Sequence, residues 1–155
     1  MSTAKVDKQY LLDNQQMANF VARGFLRFDE LVPDQINKAV MAEIDRGGIQ
    51  GAPAGTPLSE CYEGSSIRTL LDMPEIQGII HSLVGKDPLF DHDAVHVREP
   101  NQGSAQGMHA DSIIDTRWDF DIQIMYFPHD IPLEMGGTLL LPGSHYRRVN
   151  EMDIA

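Results

Sequence analysis

The hydrophobic periodicity of this chain changes character near residue 86, and that change limits its fold more than any other feature. Before it, apolar residues recur at helical spacing. Leu11, Leu12, Met17, Phe20 and Val21 form one stripe over residues 10–23, with Gly24 where a C-cap glycine would sit. Pro33 and Asp34 open a second helix carrying Ile36, Val40, Met41 and Ile44, which Gly47 and Gly48 stop. A third helix starts near Pro74, buries Ile76, Ile79, Ile80, Leu83 and Val84, and closes at Gly85. Residues 24–28 alternate briefly, like a short strand. Residues 47–59 hold four glycines and two prolines among few large apolar groups, so they read as a mobile loop over a surface or a pocket mouth.

Beyond residue 86 the period shortens to two. Residues 94–98 and 139–141 are strand candidates, and residues 120–126 place Phe120, Ile122, Ile124 and Tyr126 on one face. The expected class is α+β: one domain over residues 1–155, mainly helical over 1–86 and strand-bearing over 87–155. No internal repeat, low-complexity tract or linker interrupts it.

At 155 residues, 42% hydrophobic and 23% charged, the chain can bury one sizeable core and is too short for two full domains. Its N-terminal residues are polar and lack the apolar run of a signal peptide. No window approaches the roughly 18 apolar residues of a membrane span, so a cytoplasmic protein with no membrane partner is expected. One cysteine, Cys61, cannot form an internal disulfide and excludes a thiolate-rich zinc site; it reads as an ordinary small residue. A formal net charge of -11 disfavours nucleic acid, whose binding needs Lys and Arg against phosphates, and leans against a heavily phosphorylated substrate such as a coenzyme A thioester.

The chemistry-bearing candidates are His109 and Asp111. Two residues apart in an extended segment, they project to the same side. An imidazole nitrogen and a carboxylate oxygen begin the facial triad of non-haem Fe(II) oxygenases, which leaves coordination positions open and needs a third ligand. The bare tripeptide recurs by chance and equally suits a surface histidine near solvated acids, since Asp115, Asp119 and Asp121 follow. Tyr126 is a candidate for lining a cosubstrate pocket, against the plainer reading of one more core aromatic. His81, His92, His96, His129, Trp118 and Arg98 read as structural or solvated.

Context comes from the order of motifs. Phe20 to Leu26 ahead of a helix, His96-Val97-Arg98-Glu99-Pro100, Met108-His109-Ala110-Asp111, Tyr126-Phe127-Pro128-His129-Asp130, and Gly136-Gly137-Thr138 running into Pro142-Gly143-Ser144-His145 follow one another. This order resembles the phytanoyl-CoA dioxygenase family of Fe(II)/2-oxoglutarate oxygenases over most of the chain. The glycine-rich turn into Pro-Gly-Ser-His is its most specific part. The resemblance implies a double-stranded β-helix, of jelly-roll or cupin-like type, after the N-terminal helices. It implies Fe(II) as metal with His109 and Asp111 as ligands, 2-oxoglutarate as cosubstrate, and His145 as part of a structural turn.

Family members carry a second metal-binding histidine and a 2-oxoglutarate-binding arginine on later strands, and only ten residues follow His145 here. Arg147 and Arg148 lie too close to the turn to match. The chain is therefore expected to be a truncated, N-terminal half with an incomplete barrel, and to self-associate or pair with a missing C-terminal half through exposed strand edges. The leading expectation is a hydroxylase acting on a small-molecule substrate, which in this family ranges over fatty acyl groups, amino-acid-like solutes and secondary metabolites. The alternatives are a non-catalytic remnant serving as a binding or assembly module, and a zinc hydrolytic site using His109, Asp111 and His129 or His145.

Overall fold

In a computed structural model, residues 7–97, 106–109 and 121–146 are described. The chain divides into two compact units: residues 1–12, 29–96 and 124–129 in the first, residues 13–28, 97–123 and 130–155 in the second.

The first unit is built on three helices. Helix α2, Asp34–Asp45, follows Pro33 and buries Val40 completely. Its Glu43 carboxylate then accepts hydrogen bonds from the Ser66 amide (2.9 and 3.0 Å) and hydroxyl (2.8 Å), fixing the start of α3, Ser66–Leu71. Ser65 caps the same helix at the Arg68 amide (3.2 Å), satisfying a donor that a six-residue helix cannot satisfy internally. Helix α4, Pro74–Val84, starts with proline at its first position, where the missing N–H is harmless. Leu70, Leu71, Ile76 and Ile80 form the buried cluster, with Ile36, Leu58, Ile67, Met73, Val84 and Tyr126 packed around it. The 3-10 turn Lys8–Tyr10 lies against α4, where Ser82 Oγ accepts from the Leu12 amide (2.9 Å) and donates to the Gly78 carbonyl (2.8 Å).

Arg68 ties the 3-10 turn Leu58–Glu60 to α3: its Nη1 donates to the Leu58 and Cys61 carbonyls and its Nη2 to Asp72. Cys61 is fully buried, donates its thiol to the Pro57 carbonyl, and is held protonated by that burial, as its reading as an ordinary small residue requires.

Within the stretch 47–59, expected to be a mobile loop, the backbone holds residues 55–59 in place. Gly55 N donates to Phe90 O, Phe90 N to Thr56 O and Leu58 N to Pro88 O, and Pro57 and Leu89 form an isolated antiparallel bridge. Asp87 caps the arrangement at the Ser59 amide and hydroxyl. Residues 55–59 are thus pinned to residues 87–90. Glycine content marked the turns, and partners distant in sequence removed the mobility.

In the second unit, α1, Asn14–Arg23, opens with a reciprocal capping box between Asp13 and Gln16 and ends at Gly24 in the left-handed region, φ 81°. Its last carbonyls are closed by the turn at Gly143 and the 3-10 turn Ser144–Tyr146. Gly143 N donates to Arg23 O (2.8 Å), His145 Nε2 donates to Val21 O (2.9 Å), and the Tyr146 hydroxyl donates to the same oxygen. The Pro-Gly-Ser-His segment therefore works as a C-terminal cap for a helix some 120 residues earlier. Gly24 is needed twice, because a Cβ there would sit 2.7 Å from His145 Cγ and carry a positive φ. Gly24→Ala is expected to destabilise the fold by roughly 1–3 kcal/mol in urea unfolding. Adding His145→Ala should restore part of that loss, giving a clearly non-additive double-mutant cycle; additivity would mean the ring does not seat on Gly24.

The expected β architecture is not observed. Among the described residues there is no strand and no sheet, and residues 24–28, 94–97, 121–126 and 139–141 are irregular or extended without ladder partners. Among the described residues neither a jelly roll nor the first part of a double-stranded β-helix is seen, and their class is helical rather than α+β. A period-two pattern prescribes which way side chains point, whereas a strand exists only when another strand takes up its N–H and C=O groups. Ile124, Leu139 and Leu141 are accordingly exposed instead of facing a second layer. No described helix is long and apolar enough to cross a membrane.

Candidate metal site

His109 lies in the second unit, in an extended, exposed segment. Its Nδ1 is 2.8 Å from the Gly107 carbonyl oxygen. A carbonyl can only accept, so Nδ1 carries a hydrogen, which in the neutral ring leaves the lone pair at Nε2. This is the tautomer in which protein histidines ligate metals, with the second ring nitrogen held by a backbone carbonyl. The Gln106 side-chain nitrogen lies 3.4 Å from Nε2 and donates toward that lone pair. Both contacts come from residues within three positions of the histidine.

Asp111, the other expected ligand, lies outside the described residues, as do Arg98, Trp118, Arg147 and Arg148. Among the described residues, no three His, Cys, Asp or Glu side chains gather closely enough to hold an ion. An imidazole is one ligand of the kind that Fe(II) or Zn(II) takes, and among the described residues His109 belongs to no group of three such ligands.

Tyr126 lies in the first unit. It packs against the Leu70–Ile80 cluster, and its hydroxyl donates to Asn37 Oδ1 on α2, while Asn37 Nδ2 donates to Val32 O. Burial pushes the Tyr126 hydroxyl up to about 12, so it stays a donor at any physiological pH. The tyrosine anchors residues 124–129 onto α2. Tyr62 is raised further, first by burial and then by Asp93, to which it is hydrogen bonded, and its ring meets Phe90 edge-on at 5.8 Å.

The other histidines take varied places. His145 caps α1, His92 pairs with Asp91 at 2.8 Å, and His81 sits on α4 with a buried Nδ1 that has no hydrogen-bond partner. An open polar depression beside α2 is lined by Glu43, Arg46, Glu63 and Ser65, and its central carboxylate is already engaged by Ser66. Gly107 and Gln106 were absent from the sequence-derived set. One acts through its backbone and the other is a common polar residue, so neither leaves a spacing signal.

The sequence profile of the phytanoyl-CoA dioxygenase (PhyH) family matches residues 11–154. Neither a curated protein nor a solved structure matches the chain.

Proposed function

The chain belongs to the phytanoyl-CoA dioxygenase family, and from that membership we propose that it is a non-haem Fe(II)- and 2-oxoglutarate-dependent dioxygenase that hydroxylates a small organic substrate. His109 and Asp111 are its metal ligands in this reading. The observation that supports it is the Gly107 carbonyl on His109 Nδ1, which leaves Nε2 for a metal at the histidine that the motif order assigns as a ligand.

Each residue then has a defined task. His109 would offer Nε2 to the ion, with the Gly107 carbonyl accepting from Nδ1. Asp111 contributes a carboxylate oxygen and negative charge, which lowers the ion's net charge and favours Fe(II) over softer competitors. When bound, iron with 2-oxoglutarate and dioxygen supplies an oxidant that converts a substrate C–H bond to C–OH, while 2-oxoglutarate becomes succinate and carbon dioxide. The third ligand and the residue that anchors the cosubstrate carboxylate have no assignment in this sequence. Substrate choice rests with the loops, and the acidity of the chain favours a substrate without a polyphosphate handle. The reading is tested by iron-dependent succinate formation from 2-oxoglutarate.

A second reading has its own support. In the second unit Leu133 is 95% exposed and Leu139 81%, exposed apolar side chains that suit a binding or assembly module. Such a module would give no succinate in that assay.

A further inference from the structure

We propose that Leu89 and Asp91 present an open strand edge, and that this edge takes on an extended segment of a protein partner carrying basic side chains among apolar ones. The surface lies within the first unit and is independent of the metal chemistry at His109.

Residues 88–90 already pair on one side. Leu58 N donates to Pro88 O, Phe90 N to Thr56 O and Gly55 N to Phe90 O, and the Pro57–Leu89 bridge lies between these bonds. In an antiparallel pair, a residue flanked by such bonds turns its own N–H and C=O away from the neighbouring chain. Leu89 therefore aims both groups at the opposite edge, and the alternation of an extended backbone sends those of Asp91 the same way. Among the described residues, none of these four groups has a protein partner. Leu89 is 69% exposed and Val95 50%, and Asp91 is exposed, so the described residues leave the segment uncovered. The inner side is fixed by Asp87 on the Ser59 amide and hydroxyl and by the Tyr62–Asp93 hydrogen bond. An unpaired edge on a held segment is a template for main-chain bonds to an added strand, at little ordering cost on this side.

Charge selects the occupant. Residues 29–96 carry twelve Asp and Glu against four Lys and Arg, and Asp87, Asp91 and Asp93 stand on the segment itself. A second copy would set this acidic edge against its own like, and like charges directly opposed destabilise a strand pair. A partner strand with Lys or Arg among apolar residues instead sets cations against the carboxylates and apolar groups against Leu89.

The test uses the full chain, isotope-labelled, with the acetylated peptide Lys-Val-Lys-Thr-Lys-Val-Lys and its counterpart with Glu in place of every Lys. With the basic peptide, hydrogen exchange at the Leu89 and Asp91 amides is expected to slow at least about fivefold, while the Phe90 amide, already bonded to Thr56, changes little. Asp91→Pro removes the outward donor and one charge without taking an inward bond, and should weaken binding at least about tenfold. Asp91→Asn keeps the donor and should weaken it only about two- to threefold. If circular dichroism shows Asp91→Pro unfolded, Asp91→Asn and the two peptides still carry the test. Absent binding of the basic peptide, equal binding of the basic and acidic peptides, or unchanged exchange at Leu89 and Asp91 on binding overturns the proposal. Slowing of both amides with rising protein concentration and no peptide gives the edge to a second copy and overturns it as well.

Discussion

Gly78→Ala is expected to destabilise the protein by roughly 2–3 kcal/mol, against the usual direction of that substitution in a helix. Alanine in place of a mid-helix glycine normally gains about 1 kcal/mol, through lower unfolded-chain entropy and better propensity. Here the added Cβ would lie 2.5 Å from the Tyr10 carbonyl carbon and 2.8 Å from Tyr10 Cβ. The obstacle is backbone, so no rotamer change relieves it. The segment through Leu12 would have to lift from α4, breaking the Leu12 amide bond to Ser82 Oγ and unseating the turn Lys8–Tyr10. Urea unfolding measures the loss, and faster hydrogen exchange at the Leu12 amide locates it. A variant as stable as the parent would mean that this turn does not rest on α4.

The largest functional effect is assigned to His109. His109→Ala is expected to weaken Mn(II) binding by at least about a hundredfold, and Asp111→Ala to do the same. The double variant should be little worse than either single one, because two ligands of one ion act as a unit and removing either leaves no chelate to lose. His145→Ala is the control. Its imidazole is spent on the Val21 carbonyl and Gly24, so metal affinity should stay at the parent value. Affinity that fell with His145 as well as with His109 and Asp111 would move the ligand set to the zinc alternative. Calorimetric or paramagnetic titration of the four proteins decides between these patterns.

Helix α4 shows what the amino-acid sequence makes legible. Pro74 at its start, Gly85 at its end, and Ile76 and Ile80 buried on its inner face follow from local chemistry alone. Gly24 as the cap of α1 is equally local. Helix α3 escaped because six residues span less than two turns, too few for a helical period to show, and because its start is fixed by Glu43 from another helix. The pinning of residues 55–59 was hidden for the same reason: its partners at residues 87–90 lie some thirty positions away. The strand expectation failed on a different point. Alternation around Ile122, Ile124 and Tyr126 describes an extended backbone, and the described residues hold no neighbouring strand to turn it into a ladder. Phe120 lies outside the described residues, and Tyr126 finds a firm seat through a hydroxyl bond to Asn37 that no periodicity encodes.

The site was legible as a motif and illegible as a geometry. His109 stood out by its spacing to Asp111 and by the motifs that follow it. Two of its ring contacts, with a carbonyl two residues upstream and an amide three residues upstream, belong to the conformation of the local chain.

The most direct test of the central claim is succinate released from 2-oxoglutarate by the purified chain in air, with and without added Fe(II), in the parent and in His109→Ala. The dioxygenase reading predicts succinate and carbon dioxide in equal amounts, formed only with iron and lost in His109→Ala while that variant stays folded. A folded parent protein that binds the metal through His109 yet gives no succinate above the iron-only background would contradict it, and the binding-module reading would then account for this chain.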